Sequence, residues 1–134
     1  MQQIEAESQQ QARIKLVLIY ILHNFKNNLS LEQLAGVACM SPYHFHRLFK
    51  SHTGESVYAY IKKIRLEYAA LCLLKSSEPA TSIALSSGYS NVSAFSKAFR
   101  QQYGISPQDF RAIDESFYKN AQKSTENTHE WEEV

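Results

Sequence analysis

The chain is poor in the residues that break or staple a backbone: its 134 residues include four glycines, three prolines and two cysteines. With so few breakers and no alternating Val/Ile/Thr runs, a sheet-rich fold is excluded and an all-α chain is expected. Cys39 and Cys72 sit apart in apolar surroundings. They read as small core residues of a reducing compartment, with no disulfide framework. Leu16 to Leu22 is a run of seven apolar residues, far below the roughly 20 that cross a bilayer. The Gln-rich first twelve residues lack the basic start of a signal peptide. A soluble, cytoplasmic protein with no membrane partner is therefore expected. Cys-x-x-Cys and His-x-x-x-His pairs are missing, and His44 and His46, two apart on a helix, point to different faces. No metal or other cofactor is expected. Cys39 lies in an apolar turn without an oxyanion loop, so an enzyme is not expected either.

Charge is scarce overall, with a formal net of +1, but it is unevenly placed. Residues 13 to 111 hold twelve Lys/Arg against five acids, a net of +7, while the first twelve residues carry −2 and residues 112 to 134 carry −4. A basic body between acidic ends suits a phosphate-facing surface with solvated tails.

What the sequence does contain is a stretch built to start a helix. In Ser41-Pro-Tyr-His-Phe-His-Arg-Leu-Phe-Lys50, Ser41 can cap the N-terminus and Pro42 suits the first helical position. Phe45, Leu48 and Phe49 fall at buried spacing, which leaves Tyr43, His46, Arg47 and Lys50 on the other face. Such a helix is either an ordinary amphipathic surface helix or one shaped for the DNA major groove, where Arg reads guanine and an aromatic ring touches thymine methyls.

The pattern returns. Phe45, Arg47, Phe49, Lys50, Gly54, Ser56 and Tyr60 recur fifty positions later as Phe95, Lys97, Phe99, Arg100, Gly104, Ser106 and Phe110, an internal repeat. Upstream, Leu34-Ala35 with Met40-Ser41 matches Ile83-Ala84 with Tyr89-Ser90 at an offset of forty-nine. The second copy thus carries one extra residue between its turn and its outward helix.

In chain order, residues 1–12 form a polar N-terminal segment and 13–56 a first helix-turn-helix subdomain. The first helix is predicted over about 10–26, with a core stripe of Ile14, Val17, Leu18, Ile21, Leu22 and Phe25. A second stripe of Leu16, Ile19 and Tyr20 is either covered by the domain or a partner surface, for a second copy or a sensor domain. Ser30 with Gln33 offers a capping box for a short helix to about Cys39, with Leu31, Leu34, Ala35 and Ala38 inward. Residues 57–75 form a linker helix with Val57, Tyr60, Ile61, Ile64, Tyr68, Leu71 and Cys72 at helical spacing. At 1.5 Å per residue it is a rod of roughly 28 Å, against about 34 Å for one turn of B-DNA. The second subdomain is 76–113, with a short helix near 80–87, an outward helix near 91–103 and a last helix from Ser106-Pro107. Residues 114–134 read as an acidic, disordered tail.

Residues 30 to 111 resemble the DNA-binding domain of the AraC/XylS family of bacterial transcription regulators. The resemblance rests on the pairs just given, on Phe45-x-Arg47-x-Phe49-Lys50 with Gly54, and on Arg65-Leu66-Glu67 with Ala69. It extends through Ile83-Ala84-x-x-x-Gly88-Tyr89, Phe95-Ser96-Lys97-x-Phe99-Arg100, Tyr103-Gly104, Ser106-Pro107 and Phe110-Arg111. It implies two homeodomain-like three-helical units joined by the linker helix, inserting one or two recognition helices into successive major grooves of double-stranded DNA. It also implies an activator-type regulator, with RNA polymerase as a further partner. Base-reading positions carry over to Tyr43, His46 and Arg47, and to Val92, Ser93, Ser96 and Lys97. Ser41, His44, Lys50, Ser90, Asn91 and Arg100 complete the two DNA-facing sets. With Val92 and Ala94 apolar and Lys97 in place of Arg, the first helix is expected to carry most of the discrimination. The alternative is a non-enzymatic interaction module of the same fold that sequesters another regulator.

Overall fold

The computed structural model describes the backbone of residues 2–112 and the side chains of residues 8–112. Six helices follow one another: α1 (Gln2–Asn24), α2 (Leu31–Val37), α3 (Pro42–Thr53), α4 (Val57–Lys75), α5 (Ala80–Ser86) and α6 (Val92–Tyr103). A further helical stretch starts at 107 and reaches the end of the described residues at 112. No strand occurs among the described residues. The acidic tail at 114–134 lies outside them.

The chain divides into two compact units, 1–65 and 66–134, with the boundary inside α4. In the first unit the buried side chains are Ile14, Val17, Ile21 and Phe25 of α1, Leu34, Ala35 and Ala38 around α2, Phe45 and Phe49 of α3, and Val57 and Ile61 of α4. Phe45 and Phe49 sit 5.6 Å apart by ring centroid, and Tyr60 meets Phe49 edge-on at 5.5 Å. The second unit repeats this arrangement: Phe95 and Phe99 are 5.7 Å apart, and Phe110 meets Phe99 edge-on at 5.2 Å. Around them lie Leu66, Ala69, Leu73, Ile83, Ala84 and Ala98. Each fully buried Phe contributes about 1.5–3 kcal/mol by removal from water, so four of them anchor two outward helices to their supports.

Both outward helices are fixed at both ends by their own sequence. Ser41 Oγ accepts from the His44 N–H and Asn91 Oδ1 from the Ala94 N–H. At the other ends Gly54 (φ +83°) and Gly104 (φ +82°) close the helices in the left-handed conformation, donating to the carbonyls of Lys50 and Arg100. A side chain at either position would be strained. The extra residue of the second copy is also visible: three residues separate α2 from its successor's cap at Ser41, and four separate α5 from Asn91.

Five expectations need correction. The first helix starts at Gln2 and not near residue 10, because nothing between Gln2 and Arg13 breaks a helix and Gln, Glu and Ala are good helix formers. Within it, Leu22 is 52% exposed; the buried set repeats at 14, 17, 21 and 25, a narrower stripe than expected. Gln33 does not complete a capping box: its N–H bonds Ser30, but its side chain donates to the Tyr20 hydroxyl at 2.8 Å. Leu71 is 51% exposed, while Leu66, Ala69 and Leu73 are buried. The two halves of α4 serve different cores, so no single stripe describes it. Cys39 is exposed and has φ +56°, the only positive φ outside glycine among the described residues. It forms the bend between α2 and α3, which turns it out of the core.

Candidate nucleic-acid interface

The outward face of α3 is made by positions that the Phe45 and Phe49 anchors leave free. Tyr43, His44, His46, Arg47 and Lys50 are all exposed, Tyr43 at 72%. Ser41 is exposed too, but its hydroxyl is engaged as the helix cap. Neither α3 nor α6 contains an acidic residue, and the Arg47 guanidinium lies 5.7 Å from the centre of the Tyr43 ring, one helical turn back. Lys63 pairs with Glu55 at 3.0 Å, an ion pair that involves neither α3 nor its cations. Arg47 therefore keeps its planar fork of N–H donors for an outside acceptor, the chemistry that matches guanine or phosphate.

On α6 the equivalent face is weaker. Ser93, Lys97 and Arg100 are exposed and Ser96 is partly buried. Val92 packs against the hydrophobic core of its unit, so its apolar side chain stabilises the helix start. Asn91 is engaged through its side-chain oxygen as the cap, and Ser90 precedes it, exposed, in the turn. What remains on this face is two cations and three small polar groups.

The geometry adds residues that the sequence reading left out. Ser51 lines a shallow concavity with His44, Arg47 and Leu48. Gln101 and Ser106 line one with Ser96, Lys97 and Arg100. Ser51 and Gln101 are again fifty apart, each four residues beyond the central cation of its helix, and that helical spacing was available as a signal. Ser106 is engaged as a cap, accepting from the Asp109 N–H.

Away from these faces, burial and the Glu67 carboxylate raise the pKa of the Tyr103 phenol above its usual 10.0; Tyr103 packs tilted against Phe99 at 4.6 Å between ring centres and lies against the core. On α1, Leu16 and Ile19 are 55% and 53% exposed and Leu22 joins them. Tyr20 departs from that stripe, since it is partly buried and bonded to Gln33. No group of three or more potential metal ligands occurs among the described residues, and no helix among them is long and apolar enough to cross a membrane.

Two units of this kind, each with a capped outward helix set on a pair of Phe anchors, define a double helix-turn-helix protein. Residues 34–113 match the family model described as a helix-turn-helix domain, and the chain belongs to the AraC/XylS-type helix-turn-helix family. It is similar to a helix-turn-helix-type transcriptional regulator of Haemophilus influenzae, 38% identical over 102 residues that cover 76% of this chain and 34% of that one. A XylDLEGF operon transcriptional activator of Pseudomonas putida is 36% identical over 99 residues, 69% of this chain and 61% of its own. Among solved structures, the DNA-binding domain of the global transcriptional factor AdpA, in complex with a target DNA, superposes with a TM-score of 0.71. It is 29% identical and covers 75% of this chain and 90% of that one. The chain spans between 34% and 47% of the length of the first four curated relatives it matches.

Proposed function

We propose that the chain is a sequence-specific, double-stranded-DNA-binding module of a bacterial transcriptional regulator, acting in the cytoplasm without catalysis of its own. The observation that carries this reading is the acid-free outward face of α3, where Tyr43, His46, Arg47 and Lys50 stand exposed on a helix fixed at both ends. The similarity to a domain solved on its target DNA supports it. Arg47 reads a base edge, with guanine O6 and N7 as its matching acceptors. Tyr43 and His46 flank it, and Lys50 holds backbone phosphate. His44 and Ser51 border the same concavity. On α6, Ser93, Ser96, Lys97 and Arg100 act mainly on the phosphate backbone. RNA polymerase and a ligand-sensing domain are the partners this role calls for in a longer regulator.

The test is fluorescence anisotropy with a pool of random duplexes at several salt concentrations, recovering the bound sequences. One recurrent sequence should emerge, with affinity falling by about 0.9 log units per log unit of salt for each phosphate neutralised. Arg47→Ala should lose about 1–3 kcal/mol of discrimination at one base pair. Lys97→Ala should weaken all sequences alike. Equal loss of discrimination in the two variants would refute the asymmetry between the helices. Sequence-blind binding would refute the regulator reading and favour a module that sequesters another protein.

A further inference from the structure

The contact between Tyr43 and Arg47 assigns Tyr43 a role other than touching DNA itself. We propose that the Tyr43 ring is a shelf that holds the Arg47 guanidinium in its base-reading orientation, making Tyr43 a positioning residue for the contact proposed above. The inference rests on that DNA-binding reading and deepens it.

An arginine on an open helix surface has four side-chain torsions to fix before its fork can meet a base, which costs up to about 2 kcal/mol of rotamer entropy. Proteins usually restrain such an arginine with a carboxylate, but a carboxylate occupies the same N–H donors that the base needs. Neither α3 nor the turn before it offers one: from Cys39 to Gly54 the sequence has no Asp or Glu. A ring takes the flat face of the guanidinium and leaves the edge with its donors open. Tyr43 is placed to do this. It sits one turn before Arg47, is 72% exposed and so is not held by the core, and has the guanidinium carbon 5.7 Å from its ring centre.

The second unit is an internal control. At the two equivalent positions it has Ser93 and Lys97, a pair with neither a ring nor a planar cation. The helix that keeps an arginine for bidentate reading also has the shelf, and the helix that has lost the arginine lacks it. A ring kept only to touch a thymine methyl would have no reason to follow the arginine in this way.

The experiment is a double-variant cycle read base by base. The site recovered from the random pool is remade with each base pair changed singly, and binding is measured for the full chain, Tyr43→Leu, Tyr43→Phe, Arg47→Ala and the Tyr43→Leu, Arg47→Ala pair. Leucine keeps an apolar group for a methyl contact but offers no π face. Tyr43→Leu should cut the preference at the base pair read by Arg47 by about 2- to 5-fold, the size of an exposed cation–π contact. Tyr43→Phe should retain it, and in the Arg47→Ala background Tyr43→Leu should change nothing further at that base pair. If the two substitutions are additive, or if Tyr43→Leu alters a different base pair, the ring reads DNA directly and the inference fails while the DNA-binding reading stands. A chain that binds no duplex at all, measured first with scrambled DNA at low salt, overturns both. Circular dichroism of each variant separates these outcomes from loss of fold.

Discussion

Cys39 bends the backbone between α2 and α3 at φ +56°, in a region that costs a non-glycine residue about 1–2 kcal/mol. The repeat shows what the turn prefers: forty-nine positions on, Gly88 occupies the equivalent place at φ +99°. Cys39→Gly should therefore be close to neutral, relief of strain being offset by about 0.5–1 kcal/mol of extra chain entropy in the unfolded state. Cys39→Val, with a β-branch in the same conformation, should lose about 1–3 kcal/mol. Urea unfolding followed by far-ultraviolet circular dichroism measures both; a valine variant as stable as the parent would show that the turn has another shape. This residue also marks where sequence reading stopped. An apolar neighbourhood made Cys39 look like core, because a composition window carries no φ. The sign of φ was nevertheless available by aligning the copies and finding glycine at the partner position. Tyr43 and Arg47 were legible as DNA-facing from spacing alone, whereas their contact depends on rotamers that spacing does not set.

Helix order, type and ends were largely legible, because Ser41, Asn91, Gly54, Gly104 and the Phe pairs act within one turn of themselves. What ties the helices together acts over longer separations. Arg65 on α4 donates from Nε to the Phe25 carbonyl at 2.7 Å and from Nη2 to the Asn27 carbonyl at 2.9 Å, satisfying carbonyls just past the end of α1. Arg111 does the same for the end of α4, reaching the carbonyls of Leu73 at 3.1 Å, Ser76 at 3.2 Å and Glu78 at 2.7 Å. Each arginine lies 33 to 40 residues from its acceptors, a pairing that no periodicity reveals. The two are not at equivalent repeat positions, so the repeat did not point to it either. Lysine keeps the charge but has no planar fork to span separate carbonyls. Arg111→Lys should cost about 1–3 kcal/mol, the range for losing hydrogen bonds from a charged donor, and Arg111→Ala at least as much. The loss should appear as a lower thermal midpoint and as faster hydrogen exchange in α5 and α6. An unchanged midpoint in Arg111→Lys would mean that one bond, not the fork, carries the tie.

Across the whole molecule, the same chain can be nearly neutral and still attract DNA only if its charges are segregated. The basic body from 13 to 111, at +7, is counterbalanced by acidic ends that bring the total to +1. This was legible from the sequence, since charge position along the chain needs no fold to be counted. Its consequence for binding depends on range. Charges beyond a Debye length, roughly 10 Å at 0.1 M salt, are screened from one another, so any long-range effect of the acidic C-terminal residues on DNA binding should be felt only where the ions are dilute. Replacing Glu126, Glu130, Glu132 and Glu133 with Gln keeps the length and raises the net charge from +1 to +5. Affinity for a scrambled duplex should then rise by roughly threefold to tenfold at about 50 mM salt, through the protein's long-range field. The gain should shrink steadily as salt is raised, while base preference stays the same because none of the four residues lies on α3 or α6. The thermal midpoint should also hold, since the substituted residues fall outside the two cores described. Titrating both proteins at four salt concentrations decides it. A gain that persists at high salt would indicate that these carboxylates contact the DNA-binding face directly, and no gain at low salt would show that the tail's charge never comes within reach of the duplex.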